Sequence, residues 1–212
     1  MTSSDPPSLI PVVAQDWLTG EIRMLAFASP EAIEKTKTTG NATFWSRSRR
    51  SLWTKGETSG HTMKVHAILK DCDEDALVYL VTPNGPTCHT GQQSCFFRGL
   101  DDAAPLPSSA LLRLDAVLES RRAATAEKSY AKSLYDGGPA KIGAKLREEA
   151  GELAEAVANE PDERVVSEAA DVVFHAMVAL RSRGLSIEAV MAELERRAGT
   201  SGHLEKSRRK QP

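Results

Sequence analysis

Hydrophobic positions in the first half of the chain fall in short runs that predict strands. Four such runs, IPVVAQD, ATFWSRS, KVHAILKD and ALVYLVT, are separated by segments rich in Gly, Pro and Asn. One segment, SPEAIEKTKTT, has helical character instead, because Ser29 is a suitable N-cap and Pro30 follows at the first helical position. The pattern predicts an N-terminal α+β domain that is β-rich.

The second half has the longer period of amphipathic helices. From Leu111 onward no strand pattern stands out, and KIGAKLREEAGELAEAVANE predicts one helix. Its apolar line would be Ile142, Leu146, Ala150, Leu153 and Val157. The intervening segment RGLDDAAPLPSSA has the composition of a linker. We therefore predict a multi-domain chain, with an α+β domain at 1–100, a linker at 101–110 and an all-α helical domain at 111–212.

Composition then narrows the classes of function. The chain has 212 residues, of which 41% are hydrophobic and 26% charged, as in soluble folded proteins. A net charge of -2 and a pI near 6.2 argue against a nucleic-acid partner, since phosphate-driven binding favours a strongly basic face. No signal segment and no apolar stretch of about 18 residues is present. We expect a cytoplasmic protein with no membrane partner.

All three cysteines lie between Leu69 and Phe96. Cys88 and Cys95 bracket HTGQQS, and Cys72 precedes them. Three thiolates suit Zn²⁺. Structural zinc sites are usually closed by four protein ligands, so a set of three cysteines favours an open site with a bound water. The metal would lower the pKa of that water to about 7. The alternative is that the cysteines are small buried hydrophobic residues.

Three aspartates surround the first cysteine. Asp71, Asp73 and Asp75 are spaced two apart, which on an extended segment points all three to one side and Cys72 to the other. Such carboxylates suit Mg²⁺, although a solvated acidic turn explains the same pattern. His89 can be a base, a metal ligand or a surface histidine, and the sequence does not decide among these.

A basic stretch precedes these residues, FWSRSRRSLWTKGETSG. On a strand, Arg47 and Arg49 share one face and can bind a phosphate. The two glycines of GETSG allow a ligand to approach the backbone closely. The tryptophans can stack on a base, but core packing is the commoner role. The candidate substrate-binding residues of this half are Arg47, Arg49, Lys55, Glu57 and Ser59.

Carboxylates also recur at helical spacing in the second half. Glu149 and Glu152 lie three apart on the first long helix, and Glu168, Asp171 and His175 share a face of the next one. Facing E-x-x-E and E-x-x-D helices can hold Mg²⁺ against a nucleotide's phosphates.

The setting of the second helix strengthens this interpretation. Every residue from 172 to 180 except His175 is apolar, so the helix is predicted to be buried, where an unpaired carboxylate is costly. Solvated glutamates paired with lysine, such as Glu149 with Lys145, are the alternative. That alternative fails for Asp171, which has no basic residue among its near helical neighbours.

These motifs resemble two enzyme families. The first half resembles phosphoribosyl-AMP cyclohydrolase through PVVAQDWLTGEIRMLAF, WSRSR, LWTKGETSG, DCDEDA and GPTCHTGQQSCF. The second half is similar to phosphoribosyl-ATP pyrophosphohydrolase through KLREEAGE, EAADVVFH and TSGHLEK. Together they resemble the bifunctional enzyme of histidine biosynthesis.

The resemblance implies roles for individual residues. Zn²⁺ would be bound by Cys72, Cys88 and Cys95, shared across a homodimer, with His89 catalytic. One Mg²⁺ would be bound by Asp71, Asp73 and Asp75. Another would be bound by Glu149, Glu152, Glu168 and Asp171, with Glu149 and Glu152 also catalytic and Lys145 near the polyphosphate. Two departures from the family pattern, Gly151 within the metal motif and Thr87 in place of alanine, remove no ligand.

The implied chemistry is two hydrolyses of small-molecule nucleotides. The C-terminal half would release pyrophosphate from phosphoribosyl-ATP with Mg²⁺, and the N-terminal half would open the adenine ring of phosphoribosyl-AMP between N1 and C6 with Zn²⁺. His89 would move the proton.

Two other functions compete with this one. A zinc nucleotide deaminase also attacks C6 of adenine, but it needs H-x-E ahead of P-C-x-x-C, whereas here the only H-x-E, His203 to Glu205, follows the cysteines. A zinc-stabilised interaction module joined to a helical dimerisation domain belongs to a different class. For such a module, Cys88→Ser would unfold the domain rather than abolish one reaction.

Overall fold

The computed structural model describes residues 8–100, 109–123 and 129–198, and the chain divides between residues 108 and 109 into two compact units. The N-terminal unit contains β1 (Ile10–Asp16), β2 (Ile22–Ala28), α1 (Pro30–Thr39), β3 (Thr43–Ser46), β4 (Ser51–Thr54), β5 (Met63–Lys70) and β6 (Leu77–Pro83). The strands form one sheet in the order β4-β3-β2-β1-β6-β5. All neighbours are antiparallel except β1 and β6, which are parallel.

One face of this sheet is the core of the unit. Alternation along β1 buries Val12 and Ala14, and Phe44 and Tyr79 stack beside each other with their ring centroids 5.7 Å apart. Helix α1 begins as predicted, because the Ser29 hydroxyl oxygen accepts a hydrogen bond from the N–H of Ala32 and Pro30 occupies the first turn.

The opposite face carries an apolar row across four strands. Leu25 pairs with Val13, Val13 with Val78, and Val78 with Leu69, so the four side chains point to the same side. Leu25 and Leu69 are each about half exposed. A row of this kind is typical of a surface that another chain covers.

Five helices make up the described part of the C-terminal unit, which contains no strand. They are α2 (Ala110–Ala123), α3 (Tyr130–Asp136), α4 (Gly138–Asn159), α5 (Asp162–Ser182) and α6 (Ile187–Ala198). Leu118, Leu134, Ile142, Met177 and Val178 form their core. The predicted order of a β-rich α+β domain followed by an all-α domain is confirmed. Helix α2 begins at Ala110, which the prediction had placed in the linker.

The predicted apolar faces of α4 and α5 need correction. On α4 the buried positions are Ile142, Glu149 and Ala156, spaced seven apart, whereas Val157 is 66% exposed. On α5, Val173 is 40% exposed, so this helix is not buried on all sides. Periodicity finds an apolar stripe but does not say whether this chain or another covers it. Two predicted segments lie outside the described residues, namely the remainder of the linker at 101–108 and the tail at 199–212. The tail holds the TSGHLEK motif and the only H-x-E of the sequence.

Candidate active sites

A cavity of about 510 Å³ in the N-terminal unit brings most of the predicted residues together. It lies between the loop after β4 and the loop that holds the last two cysteines. Among its lining residues are Arg49, Lys55, Glu57, Ser59, Cys88, His89 and Cys95. The sequence therefore identified most of the polar lining of one cavity.

The loop from Cys88 to Cys95 places two thiols side by side. The Thr90 hydroxyl donates to Cys88 Sγ at 3.1 Å, and this bond lowers the pKa of the Cys88 thiol. Burial raises the pKa of Cys95, and the charge of Cys88 raises it further. His89 Nδ1 lies 3.9 Å from Cys88 Sγ. Two neighbouring thiols supply part of a zinc ligand set.

Lys55 is the buried cation of this cavity. Its Nζ donates to the carbonyl of His61 at 3.0 Å. Burial lowers the pKa of Lys55, while the charges of Cys95 and Cys88 oppose that shift. A buried ammonium beside two thiols favours their thiolate forms.

His61 is a lining residue that the sequence analysis missed. Its Nδ1 lies 3.3 Å from the carbonyl oxygen of Asn84, which joins the two loops that frame the cavity. Gly85 packs against the imidazole so closely that an added Cβ would lie 2.3 Å from Nδ1. The signal was its place directly after GETSG, one residue beyond the basic stretch considered.

The two arginines predicted to share a strand face do not do so. Residues 47–50 form the turn between β3 and β4, with Arg50 at a φ of 52°. Arg49 lines the cavity and lies 3.8 Å from Glu57. Arg47 instead lies over the ring of Phe27, 4.1 Å from its centroid. Strand alternation therefore does not apply here, because the chain reverses at this point.

The aspartates converge, but by a turn rather than an extended segment. Between β5 and β6 the Asp71 carboxylate accepts the N–H of Ala76 at 3.0 Å, and Glu74 adopts a φ of 61°. Carboxylate oxygens of Asp71, Asp73 and Asp75 lie within 4.8 Å of one another, and all three residues are exposed. The hydrogen bond from Ala76 lowers the pKa of Asp71. The hydrogen bond between Asp75 and Asp71 raises the pKa of Asp75.

Cys72 lies in this aspartate turn and is exposed. Although all three cysteines are among the described residues, they do not come together as one ligand cluster within a single chain. The pair Cys88 and Cys95 therefore needs further ligands to complete a zinc site.

In the C-terminal unit, α4 and α5 bring three predicted carboxylates together. Oxygens of Glu149, Glu152 and Glu168 lie within 4.8 Å of one another. Glu149 and Glu168 are buried, and Glu152 is exposed. Desolvation raises the pKa of Glu152, and the charges of Glu149 and Glu168 add to it. This oxygen donor set fits Mg²⁺. Asp171 is exposed and lies outside the close group.

Two cations flank these carboxylates. Lys145 Nζ lies 2.8 Å from Glu148 and 3.1 Å from Glu149, and these bonds raise the pKa of Lys145. On α5, Arg164 Nη2 lies 2.5 Å from Glu168. The Lys145–Glu149 pair, which the sequence analysis gave as the alternative to a metal site, is present, but Glu149 is buried rather than solvated. Arg164 was not among the predicted residues. Its position one helical turn before Glu168 was the available signal.

His175 lies behind the carboxylates and is buried. Its Nδ1 donates to the carbonyl of Asp171 at 2.9 Å, and the Tyr130 hydroxyl lies 2.9 Å from its Nε2. Nδ1 is also 3.9 Å from Glu149. His175 thus links α3 to the carboxylate helices.

Comparison with known families agrees with this division. The phosphoribosyl-AMP cyclohydrolase family model matches residues 24–97, and the phosphoribosyl-ATP pyrophosphohydrolase family model matches residues 111–198. The chain belongs to the HisIE family of histidine biosynthesis bifunctional proteins. The resemblance recognised from the motifs is therefore confirmed.

Relatives of this family match along most of both chains. The histidine biosynthesis bifunctional protein HisIE of Shewanella oneidensis is 45% identical over 88% of this chain and 85% of its own. The HisIE protein of Thermus thermophilus is 44% identical over 87% of this chain and 86% of its own. The HisIE protein of Aquifex aeolicus is 44% identical over 89% of this chain and 94% of its own. Within the described part of the chain, no helix is long and apolar enough to span a membrane.

Proposed function

We propose that this chain catalyses two successive hydrolyses of histidine biosynthesis. The C-terminal unit hydrolyses phosphoribosyl-ATP to phosphoribosyl-AMP and pyrophosphate, and the N-terminal unit opens the adenine ring of phosphoribosyl-AMP between N1 and C6. The observation that carries this proposal is that two different sets of metal-ligating side chains lie in the two units that match the two families. We assign both reactions to the cytoplasm.

In the first reaction, Mg²⁺ held by Glu149, Glu152, Glu168 and Asp171 would neutralise the charge of the phosphates. Lys145, anchored by Glu149 at 3.1 Å, is positioned to contact the polyphosphate. Glu152 is the exposed member of the close group of carboxylates, so it is the one best placed to orient the attacking water.

In the second reaction, Zn²⁺ would supply a water activated for attack. Cys88 and Cys95 of one chain would bind the Zn²⁺ together with Cys72 of a second copy. His89 would move the proton between water and the ring nitrogen. Asp71, Asp73 and Asp75 would hold a Mg²⁺.

Several cavity residues would position phosphoribosyl-AMP. Arg49 and Lys55 supply positive charge for the phosphates, and Glu57 and Ser59 supply hydrogen-bonding groups. Arg47 does not line this cavity and lies over the ring of Phe27, so it would contact the substrate from the separate depression that Leu25 and Trp45 also line.

The separation of the thiols supports a homodimer. Cys72 does not cluster with the other two cysteines of its own chain, whereas a second chain can supply it. The apolar row of Leu25, Val13, Val78 and Leu69 supports this arrangement, since it offers a self-complementary surface of the kind used in symmetric dimers.

The decisive experiment follows both products from phosphoribosyl-ATP. The purified protein is incubated with substrate, Mg²⁺ and trace Zn²⁺, pyrophosphate is assayed, and nucleotides are separated by chromatography. Pyrophosphate together with the ring-opened product is expected. Accumulation of phosphoribosyl-AMP would refute the assignment of the cysteine site, and the absence of turnover would support the rival structural module.

A further inference from the structure

The hairpin of β1 and β2 contains a buried ion pair. Asp16 is 5% exposed, and Arg23 donates to its Oδ2 from Nε at 3.1 Å and from Nη2 at 2.8 Å. The N–H groups of Leu18 and Thr19 each donate to Asp16 Oδ1 at 2.9 Å. The carboxylate thus closes the hairpin turn and fixes the planar guanidinium in one orientation.

From that position Arg23 reaches the loop that contains Cys95. Arg23 Nη1 donates to the carbonyl of Gln93 at 3.3 Å, and the N–H of Cys95 donates to the carbonyl of Arg23 at 2.8 Å. The Ser94 hydroxyl donates to the carbonyl of Ile22 at 2.8 Å. Three consecutive loop residues are therefore bonded to the start of β2.

Cys88 is held in a different way. Its N–H donates to the carbonyl of Gln92 at 2.9 Å, and the N–H of Gly91 donates to the carbonyl of Cys88 at 3.0 Å. These bonds all lie within the loop itself. The supports of the two thiols are thus separable, one local and the other supplied by a distant hairpin.

We propose that Arg23, oriented by Asp16, is a positioning residue for Cys95 and thereby sets how tightly the cyclohydrolase unit retains Zn²⁺. This inference rests on the proposed function, because it takes Cys95 as a zinc ligand. Groups that orient a metal ligand matter nearly as much as the ligand, and losing one typically lowers metal affinity or activity about 10- to 100-fold.

The test compares Zn²⁺ retention by the full chain with and without this pair. Arg23→Met removes the guanidinium and keeps the aliphatic stem. The double variant Asp16→Asn with Arg23→Met avoids leaving a buried carboxylate unpaired, and the amide oxygen that replaces the carboxylate can still accept the turn N–H groups. We expect Zn²⁺ release to a chromophoric chelator to accelerate about 10- to 100-fold in both variants.

Bound Co²⁺ supplies a spectroscopic readout of the same thiols. We expect its thiolate charge-transfer band to weaken or shift in the variants, while pyrophosphate release from phosphoribosyl-ATP stays within about twofold of the wild-type rate, because that reaction belongs to the other unit. Ser94→Ala tests the same loop without disturbing the ion pair. It is expected to accelerate Zn²⁺ release in the same direction but by less.

The C-terminal unit offers a matched control. Asp115 is 4% exposed, and Arg181 Nε donates to its Oδ1 at 2.8 Å, so this is also a buried Asp–Arg pair. Asp115→Asn with Arg181→Met should lower the thermal stability of the helices and leave the rate of Zn²⁺ release unchanged. A general effect of breaking buried ion pairs would appear in both double variants.

Two outcomes overturn different claims. If wild-type protein shows no thiolate band with Co²⁺, the zinc assignment in the proposed function is wrong. If the wild type binds Co²⁺ through thiolates but Zn²⁺ release and the Co²⁺ spectrum are unchanged in folded Asp16→Asn with Arg23→Met, the positioning role of Arg23 is wrong. Should the hairpin variants unfold, Arg23→Lys keeps a cation beside Asp16 but removes the bond to Gln93, and an unchanged release rate in that variant overturns the role instead.

Discussion

The two candidate sites place their ligands by different means. Glu149 and Glu152 project from α4 at helical spacing, and the packing of α4 against α5 brings the Glu168 oxygens to them. Cys88 and Cys95 lie on a loop whose shape depends on bonds to itself and to a remote hairpin. The comparison teaches that two packed helices suffice to position the carboxylates, whereas the position of Cys95 also depends on residues distant in the sequence.

Removing metal should have the largest effect and should separate the two sites. Exhaustive chelation is expected to abolish both reactions, because Mg²⁺ would neutralise the phosphates in one reaction and Zn²⁺ would activate the water in the other. Mg²⁺ alone should then restore pyrophosphate release, and ring opening should return only when Zn²⁺ is also supplied. Product chromatography with each metal in turn is the measurement. Recovery of ring opening by Mg²⁺ alone would contradict the zinc assignment.

Cys88→Ser should abolish one reaction only. Because the loss of a supporting group alone costs about 10- to 100-fold, loss of a ligand should lower the rate of ring opening by about 100-fold or more. Pyrophosphate release should remain within about twofold of the wild-type rate. Cooperative unfolding of the N-terminal unit would instead favour a structural zinc site, and circular dichroism distinguishes the two results.

Glu149→Gln is the reciprocal test in the helical site. The substitution keeps the shape of a buried side chain but removes the negative charge that would bind the metal and that pairs with Lys145. Pyrophosphate release is expected to fall by about 100-fold or more, with ring opening of added phosphoribosyl-AMP unchanged. A normal rate of pyrophosphate release would refute the assignment of this site.

Gly85→Ala should disturb the cavity more than an ordinary glycine substitution. Gly85 has a φ of 95°, and an added Cβ would lie 2.3 Å from His61 Nδ1. We expect the free energy of unfolding to fall by about 2 kcal/mol, and ring opening to slow as His61 is displaced. Gly20→Ala is the control, since its φ is 74° but no atom lies within 4 Å of the added Cβ. Equal destabilisation by both substitutions would show that the His61 contact is unimportant.

The smallest expected effect concerns acid stability of the last helix. Bonds from Arg196 and Arg197 lower the pKa of Glu193 from 4.5 to about 2. A lowered pKa stabilises the folded state above the unfolded value, so this contribution is lost as the pH falls from about 4.5 to about 2. Glu193→Gln should therefore lower Tm by about 1 °C or less at pH 7 and not at all below pH 2, as thermal scans would show. A difference that persists well below pH 2 would contradict this origin.

Element type was predictable because the hydrophobic period differs between the two halves. Helix α1 was predicted from its cap, and the two groups of carboxylates that lie close together were identified from spacing and motif, apart from Asp171. The turns at 47–50 and 71–75 were not predicted, because Arg50 and Glu74 adopt a positive φ that is usually signalled by glycine. The inward position of Glu149 and the exposure of Val157 also escaped prediction, since periodicity does not identify which surface covers a helix.

The parallel pairing of β1 with β6 also has a consequence for biosynthesis of the chain. These strands are Ile10–Asp16 and Leu77–Pro83, so the centre of the sheet closes only after most of the unit has been synthesised. Such long-range pairing is slow to form and leaves strand edges exposed meanwhile. The helical hairpin of α4 and α5 joins neighbouring segments and needs no such delay. On the ribosome, the unit made first is therefore the one more dependent on chaperones and more vulnerable to aggregation.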